Sequence, residues 1–495
     1  MELERKTPHE SIAKIYEHIR NGAEVHTMIG SVESDSVYIA VPLHRPSGRF
    51  KLALWNTWGL FEIYTPRLLA IFTRLLARTS RKTRFSARAM ELTGQRLNGN
   101  LAAPEALAKG ASVAVVDSRF YRGDRYIYVR STDNALSDIA RHHRNQFDIT
   151  CIGITGSCGK TTTRELVAAV VSTRRNTIAT LANSNTMQGV AHTALRITPQ
   201  TEAAVIEIAS TGSDSVARQS EIIRPNLGII TNIGKAHLLG FGDLDGVEKI
   251  KRQLFDFVAE NDGLFFANID DPRIEKIAHG YENVWTFGES SAAKTQGHAL
   301  DNNLFLSVRI SLVDFHSAEL GSEYIDINTQ LFGRYNLSNI LAAFAVGQHL
   351  GIDPHTIRGA IEGFSPDNGR SQVIKRNTTT YIMDAYNANP TSMTAALESF
   401  SAIGSDRKIA ILGDMLELGV SSEKEHSTVL KKLETMDLDK IILVGSEFPR
   451  LADQQRHRTF PTVEALNAWV TTQDFQNAIV LIKGSQGIGL EAIDI

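Results

Sequence analysis

Cysteine is nearly absent from this chain: its 495 residues hold only Cys151 and Cys158. They stand close together, Cys158 inside a glycine-rich motif and Cys151 just before it, which excludes a disulfide framework and suits a reducing compartment. Long apolar runs are lacking as well. No stretch reaches the roughly 18 uninterrupted apolar residues that a membrane helix needs. The first residues, Met1 to Lys6, carry charges of both signs with no apolar core behind them, unlike a secretory signal. A cytoplasmic protein is expected. Charge of one sign is not in excess either. The formal net charge of −3 gives no whole-protein pull toward nucleic acid, and no nucleic-acid partner is expected. Internal repeats and low-complexity linkers are also missing.

What is present is the composition of a soluble globular protein, 42% hydrophobic and 22% charged. The length suits about three domains. Short apolar runs at Ile149–Ile154, Ala203–Ile206, Leu227–Ile230, Ile409–Leu412, Ile441–Val444 and Ile479–Ile482 alternate with helical patterns. Such runs read as strands buried on both faces of parallel sheets, so the fold class is α/β with doubly wound domains. Thr155, Glu207, Thr231, Gly413-Asp414 and Lys483 follow these runs directly. In open α/β sheets ligands bind at the carboxyl ends of strands, so the chemistry is expected there. The stretch 283–330 alternates apolar and polar positions and predicts a small β excursion. Ser365-Pro-Asp-Asn-Gly369 is a turn-rich boundary. The expected domains are 1–148, 149–364 and 365–495.

Between about 45 and 90 the composition changes. Trp55, Trp58, Phe61, Tyr64 and Phe72 cluster, and Leu68, Leu69, Phe72, Leu75 and Leu76 share one helical face near Arg67, Arg74, Arg78, Arg81 and Lys82. A basic amphipathic helix either lies on a membrane surface or docks a partner, or it packs on its own domain with its arginines in solvent.

The strongest motif is Gly153-Ile-Thr-Gly-Ser-Cys-Gly-Lys-Thr-Thr-Thr163, between an apolar strand and a helix. That context is what a phosphate loop requires. Its glycines let backbone N–H groups point at phosphate oxygens, and the helix N-terminus adds partial positive charge. Lys160 is expected to reach the β- and γ-phosphates of ATP, and the Thr161 hydroxyl to bind Mg²⁺. Thr155, Gly156, Gly159 and Thr162 complete the loop. The strict consensus wants glycine at 154, where this chain has isoleucine.

Further segments follow in a fixed order: Asn183-Ser-Asn-Thr-Met-Gln-Gly-Val190, Glu207 closing a strand, Asn232-Ile-Gly-Lys-Ala-His237, Lys251-Arg-Gln-Leu-Phe255, Asn268-Ile-Asp270, Gly333-Arg-Tyr-Asn-Leu-Ser-Asn339 and Gly369-Arg370. Together with the phosphate loop they resemble the Mur ligases, enzymes of peptidoglycan precursor synthesis. Asp384-Ala-Tyr-Asn-Ala-Asn-Pro390 and Gly413-Asp-Met-Leu-Glu-Leu-Gly419 resemble the member that adds D-alanyl-D-alanine to a UDP-muramoyl tripeptide. The likeness runs from about Leu101 to the end. It implies a three-domain architecture: an N-terminal domain for the acid substrate, a central ATP-binding phosphate-loop domain, and a C-terminal Rossmann-like domain for the amine.

The chemistry so implied is activation of a carboxylate as an acyl phosphate, then its capture by an amine or dipeptide. Lys160 and Arg370 would stabilise phosphates, with His237 and Lys251 completing the catalytic set. Thr161 and Glu207 would hold one Mg²⁺ through oxygen ligands. His237 and Lys251 would serve a second metal position, which requires Lys251 to be carbamylated because an ammonium cannot ligate a cation. Asn268, Asp270, Asn336 and Asp384 are expected on the nucleoside, with Asp384 at the ribose and Asn336 at the base. Asn183, Asn185, Tyr386, Asn387, Asn389 and Lys483 are expected on the acid and amine.

Some positions depart from the family pattern. Met28-Ile-Gly30 stands where a uridine-reading motif is expected, Tyr335 where histidine is usual, Gln486 where arginine is usual, and Cys158 where asparagine is usual. Two other readings therefore stay open: a ligase of this type diverted to another acid and amine, and a non-catalytic nucleotide-binding or membrane-docking protein.

Overall fold

The computed structural model describes residues 25–26, 37–39, 43–44, 53–54, 61–62, 96–97, 99–181, 184–210, 212–300, 304–312, 323–367 and 369–495. The basic, aromatic stretch 45–90 falls almost wholly outside these residues, as do Met28-Ile-Gly30 and Asn183. The chain divides into two compact units, 1–143 and 144–495.

In the first unit, β1 (Val25–His26), β2 (Val37–Ile39), β3 (Val113–Val116) and β4 (Tyr126–Tyr128) form one parallel sheet in that order. Helix α1 (Ala103–Ala108) lays Ala103 and Ala106 on Ala114 and Val116. Small side chains there let helix and sheet approach closely. Asp117, just past β3, accepts from Asn100 Nδ2 at 2.6 Å and from Thr132 Oγ1 at 3.1 Å, and so ties the strand end to α2 (Thr132–Arg144).

The second unit carries two sheets. The first has nine strands in the order β6-β7-β5-β8-β9-β10-β11-β12-β13. These are β5 (Thr150–Thr155), β6 (Thr177–Ala179), β7 (Ala203–Glu207), β8 (Leu227–Ile230), β9 (Leu264–Asn268), β10 (Val284–Gly288), β11 (Thr295–Ala299), β12 (Phe305–Ser311) and β13 (Tyr324–Phe332). Strands β6 to β11 pair parallel; β12 and β13 join antiparallel. The apolar runs expected as strands are strands. The β excursion expected over 283–330 is not a separate body, because β10 to β13 continue the same sheet. Its last two strands alternate buried and exposed positions, the pattern of a sheet with one wet face. Crossover helices α3 (Lys160–Ser172) and α7 (Leu337–His349) pack together on one face. Helix α7 is buried from Ile340 to Gly347, which explains its nearly unbroken apolar sequence.

The other sheet has the order β14-β15-β19-β16-β17-β18. It comprises β14 (Gln372–Arg376), β15 (Thr379–Asp384), β16 (Lys408–Gly413), β17 (Lys440–Val444), β18 (Arg458–Phe460) and β19 (Ile479–Lys483). Only the β14–β15 pair is antiparallel.

Asp414, just past β16, anchors this sheet. Its buried carboxylate accepts from the backbone N–H groups of Ser446 (2.6 Å), Glu447 (2.8 Å) and Phe448 (2.8 Å), capping the helix Glu447–Leu451. Beside it, buried His426 accepts from Met415 N–H through Nε2 and faces the Ser422 carbonyl through Nδ1, which sets the Nδ1–H tautomer. Asp414→Ala leaves three N–H groups without their acceptor. It should cost about 3 kcal/mol, read as a lower urea midpoint for the transition that unfolds the C-terminal sheet.

Candidate functional site

The phosphate loop connects β5 to α3 and is held open by the chain that follows β8. Ser157 N–H donates to the Asn232 carbonyl at 3.1 Å, and Cys158 N–H to Asn232 Oδ1 at 3.0 Å. Thr231 Oγ1 donates to the Cys158 carbonyl at 2.5 Å. The Ser157 hydroxyl donates to the Gly234 carbonyl at 2.8 Å and accepts from its N–H at 3.0 Å. Such close support requires glycine. A Cβ at Gly156, whose φ is +146°, would lie 1.9 Å from Thr231 Oγ1, and one at Gly159 would lie 2.5 Å from Asn339 Oδ1. These supports from Thr231, Asn232 and Asn339 were not anticipated, because they join residues far apart in sequence.

Lys160 opens α3 and curls back, its Nζ donating to the Gly156 carbonyl at 2.9 Å. Burial lowers its proton affinity; Glu207 raises it and Arg370 lowers it. Arg370 reaches this place from the start of the second sheet, its guanidinium 3.6 Å from the ring centre of Tyr386. That is a close cation–π stack. Lys251, on α6 (Leu244–Glu260), is almost wholly buried, and its Nζ donates to Ser210 Oγ at 2.6 Å. Its pKa is pushed well below the usual lysine range, by burial first and then by the charge of Lys160. Lys160, Lys251 and Arg370 thus converge from three parts of the chain.

Glu207 ends β7 and is buried. Its Oε2 accepts from Thr161 Oγ1 at 2.8 Å and its Oε1 from Asn185 Nδ2 at 2.8 Å. Thr161 and Glu207 therefore lie side by side, two hard oxygen donors of the kind Mg²⁺ takes. Thr162, next to Thr161, is buried, and Thr155 Oγ1 is spent on the Ile208 carbonyl at 3.1 Å. His237 caps the short helix that follows Asn232 in sequence. It is half-exposed, with Nδ1 2.5 Å from Glu417 Oε2. That bond is the main cause holding the Glu417 carboxyl below its usual range. Among the described residues no three His, Cys, Asp or Glu side chains form a ready-made metal cage.

The expected nucleoside contacts sit in filled positions. Asn268 Oδ1 accepts from Asp270 N–H at 3.1 Å, and Asp270 in turn holds the N–H groups of Glu289 (2.7 Å) and Ser290 (3.2 Å). Asn336 is buried, donating to the Phe332 carbonyl and accepting from Asn339 Nδ2, both at 2.8 Å. Asp384 accepts from Ser371 N–H at 3.1 Å and pairs with buried Lys483 at 2.6 Å. Lys483 also reaches the Asn387 carbonyl at 3.3 Å. Asn389 caps α9 (Pro390–Ser401) in a capping box with Ser392 and lies 3.3 Å from Cys158 Sγ, so the second sheet touches the phosphate loop. The contact between Glu417 and His237 also crosses between the sheets. It gives the Gly413–Gly419 motif a second task that spacing alone did not reveal.

Comparison with known proteins places the chain in a family. Residues 154–347 match the Mur ligase middle domain, and residues 369–486 match the Mur ligase, glutamate ligase domain. The chain is 30% identical over 424 residues to the UDP-N-acetylmuramoyl-tripeptide--D-alanyl-D-alanine ligase of Treponema pallidum (strain Nichols), covering 81% of this chain and 89% of that one. It is 29% identical over 416 residues to the ligase of the same name from Escherichia coli (strain K12), covering 81% and 88%. Among solved structures it resembles MurF from Acinetobacter baumannii, with a TM-score of 0.74, 23% identity and 97% of each chain covered. It also resembles the MurF ligase from Thermotoga maritima in complex with ADP, with a TM-score of 0.75, 20% identity, and 95% and 96% covered. With these matches and with both sheets in place, the chain belongs to the Mur ligase family.

Proposed function

We propose that this chain is an ADP-forming ligase that joins D-alanyl-D-alanine to the free carboxylate of a UDP-N-acetylmuramoyl tripeptide in peptidoglycan precursor synthesis. One observation carries the reading: Lys160 and Arg370 converge where Thr161 and Glu207 offer oxygen ligands. Like charges repel, and a site that gathers them is built for a polyanion. The likeness to ligases of this name along most of their length supplies the substrates.

In the first step the substrate carboxylate oxygen bonds to the γ-phosphorus of ATP, and the bond from γ-phosphorus to the β–γ bridging oxygen breaks to release ADP. In the second, the dipeptide amine bonds to the acyl carbon, the bond to phosphate breaks, and a proton is lost. The protein's part is positioning and charge stabilisation. Lys160 and Arg370 hold the transferring phosphoryl group, and the loop N–H groups from Gly156 to Thr162 cradle the β-phosphate. Mg²⁺ on Thr161 and Glu207 would neutralise phosphate charge. Asn268, Asp270 and Asp384 line the nucleoside side. Asn336 would have to trade its present bonds to touch a base. Asn183, Asn185, Tyr386, Asn387, Asn389 and Lys483 serve the acid and the amine. His237 and a carbamylated Lys251 would hold a second metal ion. Residues 1–148 take the acid, 149–364 the ATP and 365–495 the amine. The protein works in the cytoplasm, and 45–90 either contacts an anionic membrane or a partner, or packs on its own domain with its arginines in solvent. Among the described residues no helix is long and apolar enough to cross a membrane.

Lys251 becomes a ligand by carbamylation. Its neutral amine bonds to CO₂ and releases one proton, leaving an anionic carbamate. Burial suits this, since only the neutral amine reacts and the lowered pKa raises its share. The sign follows directly: acid protonates the amine and reverses the reaction. With ¹³C-bicarbonate, a carbamate resonance that Lys251→Ala removes is expected at pH 8 and should fade toward pH 6. No such resonance at any pH would end the carbamate assignment. Short-chain carboxylic acids should restore part of the activity of Lys251→Ala.

Phosphate release from ATP with Mg²⁺ should require both UDP-muramoyl tripeptide and D-alanyl-D-alanine, and should yield the coupled product by mass. Lys160→Ala should lower kcat by about a hundredfold or more. ATP binding without coupling of this pair would instead favour the same chemistry on another acid, the reading that Met28-Ile-Gly30 and Gln486 support.

A further inference from the structure

Arg370 stands between two residues in the left-handed backbone region, Gly369 at φ +69° and Ser371 at φ +54°. A glycine adopts that region freely, whereas a serine there is strained and needs its surroundings to hold it. Ser371 is buried and held at three points. Its N–H donates to Asp384 Oδ1 at 3.1 Å, its Oγ lies 2.7 Å from the Tyr335 hydroxyl, and the same Oγ faces Asn336 Nδ2 at 3.5 Å. Tyr335 belongs to the short turn that opens α7 and packs edge-on against Phe332, ring centres 6.0 Å apart.

The chain of bonds does not stop at Ser371. Asn336 accepts from Asn339 Nδ2 at 2.8 Å, and Asn339 accepts from Thr163 Oγ1 at 3.0 Å. Thr163 lies in the first turn of α3, and Asn339 is the group that lies against Gly159. A polar path thus runs from the phosphate loop through Asn339, Asn336 and Ser371 to the residue beside Arg370. On the other side, Asp384 is fixed by Lys483 at 2.6 Å. Tyr335 meets this path at Ser371 and is a sequence departure, a hydroxyl-bearing ring where the family usually has histidine.

We propose that Tyr335 and Ser371 are positioning residues for Arg370, and that the hydroxyl–hydroxyl bond between them keeps the guanidinium in register with the phosphate loop. Neither residue touches substrate in this role. The proposal rests on the reading of Arg370 as a phosphate ligand. It goes beyond that reading in saying what sets the guanidinium's place and why a strained serine follows it.

The test is ATP affinity, measured by calorimetry with MgCl₂ on the full chain, which needs neither the acid nor the amine. Tyr335→Phe keeps the ring against Phe332 and removes only the hydroxyl. Ser371→Gly keeps the N–H to Asp384, suits the left-handed backbone and removes Oγ together with Cβ. Each should weaken ATP binding about fivefold, the size of one net hydrogen bond. Arg370→Ala should weaken it about tenfold or more. Adding Tyr335→Phe to Arg370→Ala should change affinity by less than about twofold, because the residue being positioned is gone. A purely structural role predicts additive losses with a lower thermal midpoint, and that result overturns the proposal. So does wild-type affinity in Tyr335→Phe while Arg370→Ala is weak. Unchanged affinity in Arg370→Ala removes the phosphate role of Arg370 and the proposal with it. ATP binding as expected, without coupling of the two named substrates, counts only against the choice of substrates.

Discussion

Gathering cations in a half-buried cleft works against folding. Two unit charges about 5 Å apart repel by about 3 kcal/mol at an effective dielectric of 20. This chain brings together Lys160, Lys251 and Arg370, and two of the three are held below their ordinary proton affinity. Much of the surrounding structure can be understood as what makes that gathering tolerable. Burial favours the neutral form of Lys251, Lys160 leans on the carbonyl of Gly156, and Arg370 lies on the face of Tyr386. Glu207, a buried carboxylate beside them, is held by Thr161 and Asn185 rather than neutralised by a direct ion pair.

The fold supplies these positions through the ends of parallel strands. Thr155, Glu207 and Thr231 end or follow β5, β7 and β8, neighbours in the nine-stranded sheet, so residues from three separate stretches arrive at one edge. The second sheet does the same with Asp384 and Lys483, which pair across β15 and β19. Rigid strands set the distances, and loops contribute only the final turn of each side chain.

How much of this could be read in the amino-acid order depends on the range of the interaction. The buried strands were legible because their apolar runs are local. The phosphate loop was legible because its glycines, lysine and threonines are contiguous. Strands β12 and β13 were legible as strands but not as members of the large sheet, since alternation gives a face and not a partner. The support of the loop by Asn232 and Asn339 was not legible at all. Nothing local to Asn339 says that it will meet Thr163, and both asparagines suit ordinary turn and cap roles. The same is true of Glu417, whose bond to His237 links positions in different sheets. Asn336 shows the opposite risk: its motif suggested a nucleotide contact, and its surroundings already occupy its amide.

The apolar cores of the two sheets are separate clusters, one built from residues 152–361 and the other from residues 381–493. Polar bonds link them: Lys235 with Glu425, His237 with Glu417, Cys158 with Asn389, and Tyr335 with Ser371, with Leu239 lying against Gly419. A junction of that kind exposes little oily surface when it parts, and water can take over each lost bond. Separating the sheets would therefore carry only a small heat-capacity change, and would differ in kind from melting either core. Were the two sheets to part, each would keep its own apolar interior dry.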